Sequence, residues 1–199
     1  MVLAAERRLP SPLMIPSSLE KTIQIDTHIG AVLAGLVSDA RSLVDYARVE
    51  CQNHRFTYNE PMSILSVAET IADLVIDFGE NKKSRKTEMA RPYGVSLLIA
   101  GIDENGPGLY QTDPSGHYIE WSARAIGPAI ESAQAMLKDN YSSTMTMQEA
   151  EKLALQTLKN VMTDKISKLN VELCIVSVAK KVFECHAPEY IEEIIKTLE

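Results

Sequence analysis

The sequence predicts an α+β fold in which antiparallel sheets pack together and helices cover their outer faces. Strand-like stretches of apolar and β-branched residues occur in pairs joined by short turns, a pattern typical of antiparallel hairpins. Helical periodicity appears in pairs of neighbouring segments between these hairpins, and not after every strand as in parallel βαβ units. With 199 residues, the chain is expected to form a single domain, residues 1–199, that is long enough to bury a core.

The first half of the chain predicts a strand, a hairpin and two helices. A loop with three prolines follows the first strand. Apolar residues at helical spacing follow Ser38 and Ser63, whose hydroxyls suit the N-cap position. The predicted elements are a strand at residues 2–5, a loop at 9–18, a hairpin at 22–35 that turns at 26–28, and helices at 38–53 and 63–79.

Turn signals divide the second half of the chain into short strands. Asn-Gly at residues 105–106 predicts a hairpin turn, and Asp-Pro-Ser-Gly at 113–116 predicts a type I turn. Thr146 and Glu149 form a capping box, and Pro128 and Pro188 suit the first turn of a helix. The predicted elements are strands at residues 93–102, 109–112, 117–125, 171–178 and 181–185, and helices at 128–140, from 146 and from 188.

The charge balance argues against a nucleic-acid-binding function. The formal net charge is −7 and the isoelectric point is near 5.2, whereas phosphate binding needs clustered Lys and Arg. A polar segment that predicts a solvated loop contains one basic cluster, Lys82, Lys83, Arg85 and Lys86; an import signal and an anion-binding patch are the alternatives.

The chain is expected to work in a reducing compartment and not in a membrane. The longest apolar runs are far shorter than the roughly 20 residues that a membrane-spanning helix needs. No basic segment followed by an apolar one opens the chain, so no signal peptide is predicted. The three cysteines have unrelated spacings and predict no disulfide framework.

The sequence offers few candidates for catalysis or metal binding. Cys51 and His54 are one helical turn apart, but no second pair accompanies them, so a zinc site is not predicted. Cys174 lies in an apolar strand and is expected in the core. Cys185 and His186 are adjacent on a strand and therefore point to opposite faces, which excludes a catalytic dyad. No phosphate-binding loop motif occurs. We therefore expect no catalytic residue, metal or cofactor.

Several blocks of sequence form a set that is more specific than any one of them. In order along the chain they are Ser-Ser-Leu-Glu-Lys at 17–21, Ile-Asp at 25–26, Gly-Leu-Val-Ser-Asp-Ala-Arg at 35–41, Arg-Pro-Tyr-Gly-Val-Ser-Leu-Leu at 91–98, Ala-Gly-Ile-Asp at 100–103, Asp-Pro-Ser-Gly at 113–116 and Ala-Ile-Gly at 125–127. This ordered set resembles the α-type subunits of the 20S proteasome. Within that family, Gln-Asn-His at residues 52–54 and Phe-Thr-Tyr-Asn-Glu at 56–60 most resemble the eukaryotic zeta-type, or fifth, α subunits.

The resemblance implies the fold of the N-terminal-nucleophile hydrolases. This is a four-layer αββα sandwich of two antiparallel sheets between helical layers, here expected to lack the first strand and the N-terminal helix. The Tyr-Asp-Arg tail and the Ser-Pro-x-Gly-Arg-Leu segment of α subunits are missing, so we expect the chain to be truncated at its start.

The resemblance also implies a non-catalytic subunit of a threonine-type endopeptidase complex. Catalytic members of the fold expose an N-terminal Thr by cleavage after Gly, and its amine serves as the base. None of the nine glycines here is followed by Thr, Ser or Cys. The expected roles are ring assembly, gating of the substrate pore and activator docking in ubiquitin-dependent degradation, in the cytoplasm and nucleus. The expected partners are other α subunits in a seven-membered ring, β-ring subunits, and the C-terminal tails of a regulatory particle or activator.

Three residues correspond to the activator pocket of the family. Lys21 matches a lysine whose ammonium faces the carboxylate of an activator tail, and Gly35 and Leu36 match the floor of that pocket. A lysine suits this task because it is a compact, mobile point charge. Glu6 and Lys21 also match acidic and basic residues near the active site of catalytic relatives. The alternatives are a catalytic N-terminal-nucleophile peptidase and an unrelated cytosolic binding domain.

Overall fold

The computed structural model describes residues 1–8, 11, 13–77 and 91–198, and contains two antiparallel sheets. The strands are β1 (Val2–Glu6), β2 (Thr22–Asp26), β3 (Ile29–Gly35), β4 (Val95–Asp103), β5 (Gly106–Thr112), β6 (Tyr118–Glu120), β7 (Val171–Val176) and β8 (Phe183–Cys185). The helices are α1 (Val37–Tyr58), α2 (Ile64–Ile76), α3 (Ile130–Asn140), α4 (Met147–Val161) and α5 (Pro188–Thr197), and a short 3-10 helix covers Pro16–Ser18.

The two sheets pack face to face. One sheet has five strands in the order β2-β3-β4-β5-β6, and the other has three in the order β1-β7-β8. Apolar side chains from both sheets fill the space between them. These are Leu3, Ala5, Val32, Leu98, Ala100, Ile102, Leu109, Cys174, Val176 and Phe183.

Alternation along the strands places helices on the two outer faces. In β4, Leu98 and Ala100 face the other sheet, whereas Leu97 and Ile99 pack against α1 and α2. In β7, Val171 and Leu173 pack against α4 and α5. The resulting order of layers is helices, five-stranded sheet, three-stranded sheet, helices. The predicted four-layer αββα sandwich is therefore confirmed.

Helix α1 differs from its prediction at both ends. It begins at Val37 after Leu36, so Ser38 lies inside the first turn and is not the N-cap. It continues past residue 53 to Tyr58, because no Gly or Pro interrupts it, and ends where Asn59 adopts a left-handed conformation (φ 55°). The Asn59 N–H then donates to the carbonyl of Arg55.

The strand predicted at residues 117–125 is much shorter in the structure. Only Tyr118–Glu120 pairs with β5. The chain then leaves the sheet because Gln134 of α3 binds it, accepting from the Ala125 N–H and donating to the Ala123 carbonyl. Hydrogen bonds to a helix thus replace the ladder that the apolar residues suggested.

The other local helix signals are confirmed except at Pro128, which lies before the first turn because α3 begins at Ile130 after its N-cap Ala129. Ser63 caps α2 by accepting from the Ser66 N–H, and Thr146 and Glu149 form the capping box of α4. Pro188 occupies the first turn of α5. The basic cluster Lys82, Lys83, Arg85 and Lys86, the predicted helix end at residue 79 and part of the proline loop (residues 9, 10 and 12) lie outside the described residues.

Candidate functional site

The structure brings Lys21, Gly35 and Leu36 to one end of the β2–β3 hairpin. Lys21 directly precedes β2 and Gly35 ends β3, and the two strands run antiparallel. The Leu33 N–H donates to the Lys21 carbonyl over 3.1 Å, which joins the two strand ends. We call these three residues the Lys21–Leu36 site.

Gly35 and Leu36 lie against the backbone of Gly94. Gly35 has a φ of +132°, and a Cβ there would collide with the Gly94 carbonyl oxygen and lie 2.8 Å from the Val95 Cα. Only glycine fits this position without strain. The Leu36 N–H donates to the same Gly94 carbonyl over 2.9 Å, while the Leu36 side chain is 50% exposed. An apolar side chain is thus held at the surface by a rigid backbone.

A buried carboxylate fixes Gly94 from the other side. Asp39, in the first turn of α1, accepts from the Gly94 N–H over 2.8 Å. It also accepts from both terminal nitrogens of Arg91, over 2.7 and 2.9 Å. The Arg91 hydrogen bond, followed by that of Gly94, lowers the pKa of Asp39 to about 2, so this carboxylate is charged at neutral pH. The residues of the Arg-Pro-Tyr-Gly block therefore support the floor of the site.

Lys21 is held by its backbone, whereas its ammonium is available. The Lys21 N–H donates to both carboxylate oxygens of Glu172, over 3.1 and 3.3 Å. The Lys21 side chain is partly buried. No hydrogen bond or ion pair of its ammonium occurs within the part of the chain that the structure describes. The site therefore combines an unpaired positive charge, an exposed apolar side chain and a fixed backbone.

The prediction that the cysteines form no disulfide framework is wrong, because Cys174 and Cys185 form a disulfide. Cys174 in β7 and Cys185 in β8 are direct partners in the antiparallel register, with Cα atoms 3.9 Å apart. Cys174 is buried between the sheets, as predicted, whereas Cys185 is exposed. Sequence spacing could not reveal this pair, since it depends on which residues of the hairpin face each other.

His186 points away from Cys185, which confirms that the two form no dyad. Its Nε2 lies 3.0 Å from Oε1 of Glu151, a buried carboxylate of α4 that also accepts from the Tyr190 hydroxyl over 2.8 Å. This hydrogen bond, together with burial, raises the pKa of Tyr190. The cluster links α4 to the start of α5.

The other candidate side chains do not come together. Burial raises the pKa of the Cys51 thiol to about 12, which makes it a poor nucleophile. His54 instead lies against the Tyr58 ring, with its Nε2 3.6 Å from Glu60. Glu6 is the last residue of β1, where it pairs with Val171 of β7. Among the described residues, no group of three or more His, Cys, Asp or Glu side chains could hold a metal ion.

An Asp, a Ser and a His also meet on the turn between β5 and β6. The Ser115 hydroxyl donates to Asp113 and lies 2.6 Å from Nδ1 of His117. In a catalytic triad the carboxylate orients the histidine, whereas here it binds the serine and two backbone N–H groups of an exposed turn. The hydrogen bonds from Ser115 thus stabilise the turn, and this order of contacts is not that of a triad.

Sequence analysis missed the role of two buried carboxylates, Asp39 and Glu172. Each is at least 95% buried and accepts several hydrogen bonds. The available signal for Glu172 was an acidic residue within an otherwise apolar strand, which indicates a buried polar partner. The partners themselves are distant in sequence and could not be predicted.

No helix in the described ranges is long and apolar enough to span a membrane.

Comparison with known proteins agrees with this architecture. A sequence profile described as "Proteasome subunit" matches residues 1–176. The chain belongs to the proteasome subunit family. The "Proteasome subunit alpha type-5" of Dictyostelium discoideum is 51% identical over 199 residues, which are 100% of this chain and 83% of that protein. Its namesakes from Trypanosoma brucei brucei and Drosophila melanogaster are 53% identical over 195 residues and 44% identical over 199 residues. These alignments cover 98% and 100% of this chain and 79% and 81% of those proteins.

Proposed function

We propose that this chain is a non-catalytic structural subunit of the α ring of the 20S proteasome core. Its roles are ring assembly, gating of the pore through which substrates pass, and activator docking during ubiquitin-dependent protein degradation. The observation that carries the proposal is identity of 44–53% over at least 98% of the chain to three proteins named alpha type-5. The family resemblance found in the sequence blocks supports the same assignment.

The complex in which the chain works is proposed to be a threonine-type endopeptidase whose catalysis belongs to other subunits. Within these 199 residues, no glycine is followed by Thr, Ser or Cys. An N-terminal-nucleophile enzyme needs a hydroxyl or thiol on its first residue, with the free amine as base. The proposed partners are other α subunits in a seven-membered ring and β-ring subunits, and the proposed location is the cytoplasm and nucleus.

The Lys21–Leu36 site is proposed to receive the C-terminal tail of a regulatory particle or activator. The Lys21 ammonium would pair with the terminal carboxylate, since a charge without an internal partner is free to bind an anion. Leu36 would contact the apolar part of the tail, and Gly35 supports the floor of the site because its missing Cβ lets the Gly94 backbone pack against it. The peptide planes on both sides of Lys21 are fixed, which reduces the ordering that binding requires.

Activator docking can be tested with assembled particles that carry Lys21→Ala or Lys21→Glu in this chain. We expect weaker activator binding in the order wild type, Lys21→Ala, Lys21→Glu, because the second change replaces attraction by repulsion. Lys138→Ala is the matched control, since Lys138 is an exposed lysine on α3. Binding is measured by surface plasmon resonance, with native mass spectrometry to check assembly. An activator dissociation constant that is the same in all four particles would refute the docking role.

A further inference from the structure

Glu172 binds the backbone on which the docking lysine sits. It is the second residue of β7, on the face of the three-stranded sheet that contacts the other sheet. Its side chain is 3% exposed. Oε2 accepts from the Thr22 N–H over 2.7 Å and from the Thr22 hydroxyl over 2.6 Å. Together with the two contacts of the Lys21 N–H, the carboxylate thus binds two consecutive backbone donors.

The two sheets bind the Lys21 backbone through different groups. The Lys21 carbonyl is bound by the N–H of Leu33 in β3. Its N–H points instead toward the three-stranded sheet, where Glu172 accepts it. Without that carboxylate the N–H would lie partly buried with no acceptor, which is costly. The peptide groups on both sides of the Lys21 Cα are therefore fixed by different sheets, and only side-chain rotation remains.

Arg7 forms an ion pair with Glu172, which accepts from the Lys21 N–H but does not pair with the Lys21 ammonium. Its Nε donates to Oε1 of Glu172 over 2.6 Å, and the Arg7 side chain is 20% exposed. This ion pair compensates the buried negative charge. The Lys21 ammonium makes no ion pair with Glu172 and stays available for a ligand.

We propose that Glu172 is a positioning residue for the docking of activator tails. It acts through the Lys21 backbone, so that the ammonium meets the terminal carboxylate of the tail at a fixed distance. This inference rests on the proposed function of the Lys21–Leu36 site and names the group that gives the site its geometry. Glu172 itself does not contact the tail.

The matched control for Glu172 is Glu151. Both are carboxylates with at most 3% exposure, and both accept several hydrogen bonds across elements. The hydrogen-bond partners of Glu151 within the described residues are instead His186 and Tyr190, which lie outside the β2–β3 hairpin. A general loss of stability is therefore expected in both Glu→Gln variants, whereas only Glu172→Gln is expected to change the position of the Lys21 ammonium.

The test uses assembled particles and a photo-crosslinking peptide with the last eight residues of an activator subunit. The peptide carries either a free C-terminal carboxylate or a C-terminal amide. Its crosslinking yield on this chain is titrated by mass spectrometry, so that other subunits of the particle do not contribute. The readout is the ratio of carboxylate to amide affinity, which reports the contact with the ammonium and not the general integrity of the fold.

We expect Glu172→Gln to lower this ratio by about five-fold, a coupling typical of groups in one network. Glu151→Gln should leave the ratio unchanged. In the Lys21→Ala background, Glu172→Gln should have no further effect on the ratio. If Glu172→Gln prevents assembly, Thr22→Val removes one donor of the same network and is expected to lower the ratio by a smaller factor.

Three outcomes would overturn the inference. If Lys21→Ala lowers the ratio but Glu172→Gln and Thr22→Val do not, Glu172 has no positioning role and the docking function stands. If Lys21→Ala leaves the ratio unchanged, the docking function itself is wrong and the inference falls with it. An equal decrease in the Glu151→Gln control would also refute positioning, since it would indicate a general effect of buried carboxylates.

Discussion

The buried carboxylate of Asp39 gives a prediction whose magnitude follows from its contacts. Asp39→Asn keeps the size of the side chain but removes its charge and places an NH₂ group opposite a donor. A hydrogen bond to a charged group contributes about 1.5–3 kcal/mol. The Arg91 side chain is 53% exposed, so its share is reduced by solvent. We therefore expect the free energy of unfolding to fall by about 2–3 kcal/mol, most of it from the Gly94 contact.

This loss corresponds to a decrease in Tm of roughly 4–12 °C for a chain of this size. The assay is thermal unfolding of the purified chain by circular dichroism. The matched control is Asp45→Asn, because Asp45 lies on the same helix but its side chain is 70% exposed. The control should shift Tm by no more than about 4 °C, since exposed ion pairs contribute about 0–1 kcal/mol.

The pH dependence of the unfolding free energy of wild type and Asp39→Asn tests whether the charge of Asp39 causes the difference. The folded-state pKa of Asp39 is lowered to about 2 from an ordinary value of 3.8. Its contribution is therefore complete above about pH 5 and is lost as the pH falls through the unfolded pKa of 3.8 toward the folded pKa of about 2. The difference in unfolding free energy between wild type and Asp39→Asn should shrink between pH 5 and pH 3. A difference that is absent at pH 7, or constant over this pH range, would refute the reasoning.

Three further changes test other parts of the fold. Gly35→Ala should lower the unfolding free energy by about 2–5 kcal/mol, because the new side chain combines a strained φ with a backbone collision. Gly106→Ala is the control, since Gly106 has a φ of +111° but open space around it, so only the strain should contribute. Equal losses of unfolding free energy in denaturant titrations of the two variants would contradict this. Cys185→Ser should lower it by about 3 kcal/mol, because the disulfide closes a loop of separation 11, and the difference should vanish in dithiothreitol. Persistence of the difference under reduction would count against the disulfide. Thr146→Ala should remove about 1 kcal/mol with the capping box, and an unchanged urea midpoint would argue against that cap.

The sequence predicted those features that depend on neighbours along the chain. The caps at Ser63 and Thr146 and the turn at residues 113–116 are local, and all three are present in the structure. The extent of α1 and of β6 was misjudged, because tertiary contacts decide where these elements end. Gln134, for example, binds the segment that apolar residues marked as a strand.

The docking role of the candidate site stays a prediction, and only the placement of its residues can be compared with the structure. Lys21, Gly35 and Leu36 came from the family resemblance, and the β2–β3 hairpin explains why they share one end of a sheet. The groups that hold them in place could not be predicted. Glu172 is about 150 residues from Lys21 in sequence, and Asp39 is 52 residues from Arg91. The same limit applies to the disulfide, since facing positions in a hairpin depend on its register.

We propose that this chain combines the architecture of an N-terminal-nucleophile hydrolase with a function that depends on contacts with other proteins and not on catalysis of its own. Mass spectrometry of the particle that co-purifies with the tagged chain, after treatment with a covalent inhibitor directed at N-terminal threonine, tests both parts of this proposal. We expect the chain to be recovered with other α and β subunits and its own mass to be unchanged, while adducts form on catalytic subunits. An inhibitor adduct on this chain, or its recovery as a monomer without ring partners, would refute the proposal.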